Sequence, residues 1–119
     1  MQKKEEIDKL ALEFEKCRKI LIALGDENRQ HMILEMMKTG KCDGVRVNEI
    51  TERTHLSRPA VSHHLQILKD AGILKMRREA TKNYYYFDRE MQSFRQLIEI
   101  LQKAISITSE LPEKKSENI

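Results

Sequence analysis

The 119-residue sequence predicts a mainly α-helical fold of five helices carrying one small β-hairpin. Three observations predict it. Apolar residues recur at spacings of three and four through most of the chain, which lines them up on helix faces. Between residues 73 and 88 the pattern changes to two short runs rich in aliphatic and aromatic types, the composition of paired strands. In the middle, Ser57-Arg58-Pro59 and Gly72 bracket a short helix with a start and a stop signal.

Residues 1–24 are expected to form one long helix, because Ile7, Leu10, Phe14, Cys17, Leu21 and Leu24 make a continuous apolar seam. That seam can pack on its own domain or across a twofold axis. Gly25 ends the helix and Asp26 caps the next, over 26–38, where Met32, Ile33, Leu34, Met36 and Met37 present a broad apolar face. Thioethers fill irregular space, so the cluster reads as core, with a plastic ligand pocket as the other use of such side chains. A turn-rich connector, 39–44, leads to Val45-Arg46-Val47, a very short strand expected to pair with the hairpin.

Asn48–Thr54 reads as a short helix with Ile50 and Val47 inward, and His55-Leu56-Ser57 as a turn with Leu56 buried as its pivot. Ser57 then caps a second helix, in which Pro59 occupies the first turn, where its missing N–H costs nothing. Val61, Leu65 and Leu68 hold that helix to the core, and Gly72 ends it. Residues 47–72 therefore form a helix-turn-helix, and 73–88 a hairpin with strands at 73–78 and 84–87 and a polar loop at 79–83. Its tyrosines read as structural.

The last helix, 89–111, carries Met91, Phe94, Leu97, Ile98, Leu101, Ala104, Ile105 and Thr108 in a stripe too wide for a monomer of this size to cover. With the first helix it is expected to form an isologous homodimer interface. Residues 1–111 make one domain, 112–119 a short, charged, flexible tail.

The net charge is only +3, but it is unevenly placed. Between Arg46 and Arg89 nine Lys/Arg stand against five acids, while the remainder is close to neutral. A basic module between near-neutral helices suits contact with nucleic-acid phosphates. The outward face of the second helix supplies Arg58, Ser62, His63, Gln66 and Lys69, of the length and chemistry to reach base edges in a major groove. The same face is also compatible with plain solvation. Arg77, Arg78 and Lys82 in the hairpin are placed to meet phosphates or an adjacent minor groove, or again to be solvated.

Leu56-Ser57-Arg58-Pro59-Ala60-Val61-Ser62-His63-His64-Leu65-Gln66-Ile67-Leu68-Lys69-Asp70-Ala71-Gly72-Ile73-Leu74, with the Arg77-Arg78 … Tyr84-Tyr85-Tyr86 hairpin behind it, resembles the winged helix-turn-helix repressors of the ArsR/SmtB family. Leu24-Gly25-Asp26-Glu27-Asn28-Arg29 looks like that family's Leu-Ala-Asp-x-x-Arg entry, and the likeness spans 21–88. The resemblance implies a dimeric repressor that reads an inverted repeat in double-stranded DNA, with reading helices about 34–36 Å apart. It implies Ser57, Arg58, Pro59, Ser62, His63, Gln66 and Lys69 on the groove side and Arg77, Arg78 and Lys82 on the wing as DNA-binding residues.

The family's familiar metal sites do not transfer. The helix at 48–54 has no cysteine, the helix at 89–111 has neither His nor Cys, and Gly72 stands where some zinc-sensing members have a histidine. His31, His55, His63 and His64 lack the spacing of a zinc set, so no metal and no cofactor is expected. Cys17, on the first seam, reads as a buried small hydrophobe. Cys42, beside Lys41, reads as more exposed, and the two are candidate redox residues if the connector folds back onto the first helix. Nucleophile elbow, glycine-rich phosphate loop and paired carboxylates are all missing, so an enzyme is not expected. The start Met1-Gln2-Lys3-Lys4-Glu5-Glu6 lacks an apolar run and no stretch has membrane-spanning length, which with two unpaired cysteines suggests a reduced cytoplasmic setting without membrane contact. Two alternatives stand beside the repressor: one that responds to thiol oxidation through Cys17 and Cys42, and a winged-helix protein-interaction module without DNA binding. The inducer is left open.

Overall fold

The computed structural model describes residues 3–112 as six helices and one two-stranded antiparallel sheet. The helices are α1 (Lys3–Lys16), α2 (Arg18–Leu24), α3 (Glu27–Lys38), α4 (Val47–Thr54), α5 (Arg58–Asp70) and α6 (Gln92–Ser109). The strands β1 (Leu74–Glu79) and β2 (Lys82–Phe87) lie between α5 and α6. The expected tail, 112–119, falls outside the described residues apart from Pro112.

The sixth helix arises because the expected first helix breaks at Cys17. Its N–H is shared between the carbonyls of Glu13 and Phe14, at 3.2 and 3.0 Å, and the chain restarts with Cys17 as the N-cap of α2. The break rephases the apolar seam. Ile20 and Ala23 turn inward with Cys17, while Leu21, expected inside, is exposed.

α3 begins as its capping residue dictates, with the Asp26 carboxylate accepting from the Arg29 N–H at 3.0 Å. Met32, Ile33 and Met36 are buried in the core, whereas Leu34 and Met37 face outward. Val45 does join the hairpin, but as a single bridge to Tyr85, with bonds of 2.8 and 2.9 Å in the two directions, because the chain enters α4 at Val47. Leu56 is half-buried rather than a sealed pivot.

α5 is the best-seated helix. Val61, Leu65 and Leu68 are fully buried, and each is worth about 1.5–3 kcal/mol of transfer free energy. The Ser57 hydroxyl accepts from the Ala60 N–H at 3.2 Å at the start. At the end, Gly72 takes φ +77 and donates to the Lys69 carbonyl, while Ile73 donates to Leu68, the paired bonds of a Schellman stop. A Cβ at residue 72 would stand 2.8 Å from the Ser93 hydroxyl, which itself bonds the Ala71 carbonyl. α5 and α6 are therefore joined at this point.

The hairpin turn is tighter than the five-residue loop expected. Strand pairing runs to Glu79 opposite Lys82, leaving only Ala80 and Thr81, with Ala80 at φ +55. α6 starts at Gln92, later than residue 89, because Asp88 accepts from the Glu90 and Gln92 N–H groups and closes a separate turn. α6 runs antiparallel to α1, as ion pairs Lys103–Glu13 (2.8 Å) and Lys3–Glu110 show. Of the last helix, only Ile100 is fully buried, a residue outside the expected stripe, while Phe94 and Leu97 pack partly on the core.

Candidate nucleic-acid interface

The face of α5 opposite Val61, Leu65 and Leu68 is uncovered. Ser62, His63 and Gln66 are exposed along it, with Ser57, Arg58 and Pro59 exposed at its leading tip and Lys69 half-buried at its trailing end. The spacing of three and four that buries one stripe leaves these side chains outward, so one sequence pattern sets both anchoring and presentation. Arg58 is not loose. One of its terminal N–H groups donates to the side-chain oxygen of Asn48, at the start of α4, which ties the tip of α5 to the helix before it. The Gln66 amide donates to Asp70 at 2.8 Å, so an acid lies at the trailing edge of the face. Asn48 and Asp70 were not among the residues expected from the sequence.

The hairpin does not gather its three basic residues in one cluster. Register places Arg77 opposite Tyr84, Arg78 opposite Asn83 and Lys82 opposite Glu79. Successive strand residues alternate faces, so Arg77 and Lys82 share one face and Arg78 takes the other. Arg77 lies over the Tyr84 ring at 4.6 Å and pairs with Glu79 at 3.0 Å. Arg78 donates to the Ala80 carbonyl at 3.2 Å, and Lys82 is exposed beside the turn.

Behind the exposed face of α5 is a buried arginine that the sequence pattern did not single out as a link. Arg29 is only 7% exposed. Its guanidinium donates to the carbonyls of Ala23 and Ile22, at 2.9 and 3.0 Å, in the last turn of α2. A third N–H lies 3.1 Å from His64 Nδ1. Arginine has no acceptor, so Nδ1 must accept and His64 is neutral there with its proton on Nε2. Burial pushes the His64 pKa down. The Arg29 and His63 charges add to that, against the opposing pull of Asp26. The histidine next to the outward-facing His63 is thus a structural bond to the core.

Cys17 is sealed in the core, and burial, reinforced by the Glu13 charge, pushes its thiol pKa up. Cys42 is exposed in the connector and lines a cleft with Met37, Lys75, Tyr86 and Asp88, whose walls include no residue of α1 or α2. Both thiols are free. Among the described residues no group of three His, Cys, Asp or Glu side chains is arranged to hold a metal ion, and no helix is long and apolar enough to cross a membrane.

The architecture is a helix-turn-helix followed by a hairpin wing, with a basic, uncovered second helix. The family profile described as bacterial regulatory protein, arsR family, matches residues 27–75. An HTH-type transcriptional regulator from Methanocaldococcus jannaschii is 38% identical over 73 residues, covering 61% of this chain and 79% of that protein. The transcriptional repressor SdpR of Bacillus subtilis is 35% identical over 63 residues, 53% of this chain and 66% of the repressor. The solution structure of a homodimeric winged helix-turn-helix DNA-binding domain from Mycobacterium bovis superposes with a TM-score of 0.60 at 21% identity, covering 89% of this chain and 94% of that one. Fold and site define a winged helix-turn-helix transcriptional regulator. The chain belongs to the ArsR family.

Proposed function

We propose that this regulator is a homodimeric repressor that reads an inverted-repeat operator in double-stranded DNA. The observation that carries the reading is the uncovered face of α5, where Ser62, His63 and Gln66 project beside the tethered Arg58 while the opposite face is sealed in the core. Such a helix enters a major groove with its polar side chains toward the base edges. Pro59 and Ser57 set the angle of its tip, and Lys69, Arg77, Arg78 and Lys82 supply charge toward the backbone. The repressor role is supported by likeness to SdpR, and the dimer by likeness to the homodimeric Mycobacterium bovis domain. Thiol chemistry has no part in this reading, because Cys17 is sealed in the core while Cys42 lines a cleft that includes no residue of α1 or α2.

The test is a titration of the purified protein against its own upstream DNA and against a random duplex. Arg58→Ala and His63→Ala are each expected to cost about 1–3 kcal/mol on the specific site, the size of one good base contact, and much less on random DNA. Equal losses on both duplexes would remove His63 from the reading set. Failure of the wild-type protein to bind either duplex would favour a protein-interaction module instead.

A further inference from the structure

Arg46 has no part in the reading above. It occupies the N-cap of α4 in an extended conformation, φ −85 and ψ 153, and its side chain makes no capping bond. That position favours Ser, Thr, Asp or Asn, whose oxygen accepts from first-turn amides, and arginine has no acceptor to offer. A residue that breaks a local preference in this way points to a task outside the helix.

Its guanidinium carbon instead lies 5.7 Å from the centre of the Tyr84 ring, the ring that Arg77 covers at 4.6 Å. The backbone is shaped for this approach. Gly44 has φ +132, and a Cβ there would stand 2.7 Å from the Tyr84 Cβ and 3.0 Å from the Arg77 guanidinium. The Val45–Tyr85 bridge then locks the strand beside β2. Arg77 is partly neutralised by Glu79, while Arg46 makes no salt bridge among the described residues. Two guanidiniums beside one tyrosine repel each other, and an anion bound near both would offset that cost.

Their position matches their chemistry. Asn48, two residues beyond Arg46, accepts from Arg58 at the tip of α5. Arg58, Asn48, Arg46, Tyr84 and Arg77 therefore form a chain of neighbours from α5 to the wing. We propose that Arg46 and Arg77, braced on Tyr84, grip a backbone phosphate of the DNA between the groove entered by α5 and the strand met by the wing; this rests on the DNA-binding reading. Arg77 donates its Nε–H to Glu79 but keeps its terminal N–H groups, and stacking a guanidinium on an aromatic face limits the side-chain freedom lost when a phosphate is bound. The contact carries no base information and serves to position the dimer.

The test uses the full-length protein with Arg46→Ser and Tyr84→Leu, titrated on operator and random duplex over a salt series, with thermal melts alongside. Serine restores a capping oxygen, so Arg46→Ser is expected to raise Tm and yet weaken binding several-fold on both duplexes. Its plot of log affinity against log salt should flatten by about one unit, the signature of one lost phosphate contact. Tyr84→Leu should show the same flattening while both arginines are present. Unchanged affinity and salt slope in Arg46→Ser overturns the clamp even if the protein binds its operator. A loss on the operator alone overturns it in favour of base reading. If wild-type protein binds no DNA, the clamp falls with the DNA-binding reading itself.

Discussion

Arg29 and His64 show how one side chain can link an ordinary packing problem to a functional surface. Near the end of α2 the Ala23 and Ile22 carbonyls accept from Arg29, which spends a third N–H on His64, the neighbour of the exposed His63. Protonating His64 would remove its acceptor and set a second positive charge against the buried guanidinium. The folded pKa lies below the ordinary imidazole value of about 6.5, so the unfolded chain takes up a proton that the folded chain resists. Stability from this bond is therefore whole above that value and is lost as pH falls through the folded pKa. Urea unfolding followed from pH 7.5 down to 5 should show this loss, and His64→Asn, which accepts without titrating, should flatten it. An identical acid limb in the variant would assign the loss to other groups.

Besides its buried stripe, α5 is held at its ends, since most of its outer face is exposed. Ser57 satisfies one orphan amide at its start, and Gly72 with Ile73 closes the other end. Ser57→Ala should cost about 1 kcal/mol of stability, read as a shift in urea midpoint without a change in slope. A changed slope would mean that more than the cap had been lost. The hairpin shows the opposite economy. Its turn at Ala80 and Thr81 needs a left-handed alanine, which no turn signal in the sequence announces, and this is why its loop had been expected to be longer.

The molecule measures 63 × 34 × 23 Å, and its helical ends lack cover. No residue of α1 is buried, and of α6 only Ile100 is. Ile98, Leu101 and Ile105 lie along the bare side of α6, with Ile105 69% exposed. A single chain leaves this surface wet, and a twofold partner presenting the same surface would cover it. Ile105→Glu should convert a sedimenting dimer to a monomer and lower operator affinity more than affinity for a half-site. Sedimentation unchanged from wild type would place the dimer seam elsewhere.

Local patterns in the sequence were enough for much of this protein. The seat of α5, its serine cap and glycine stop, the order of helices and strands, and the outward set Arg58, Ser62, His63 and Gln66 all follow from residues within a few positions of each other, where periodicity and capping act. What joins distant residues needed the tertiary structure. The break at Cys17 rephases a seam that looked continuous. Arg29 meets His64, Asn48 holds Arg58, and Arg46 meets Arg77 on Tyr84, because packing brings together side chains that no short-range spacing relates. Strand alternation parts Arg77 from Arg78, since adjacent residues point to opposite faces once a register is chosen. Short-range chemistry decided which groups the surface offers; long-range packing decided which of them act together.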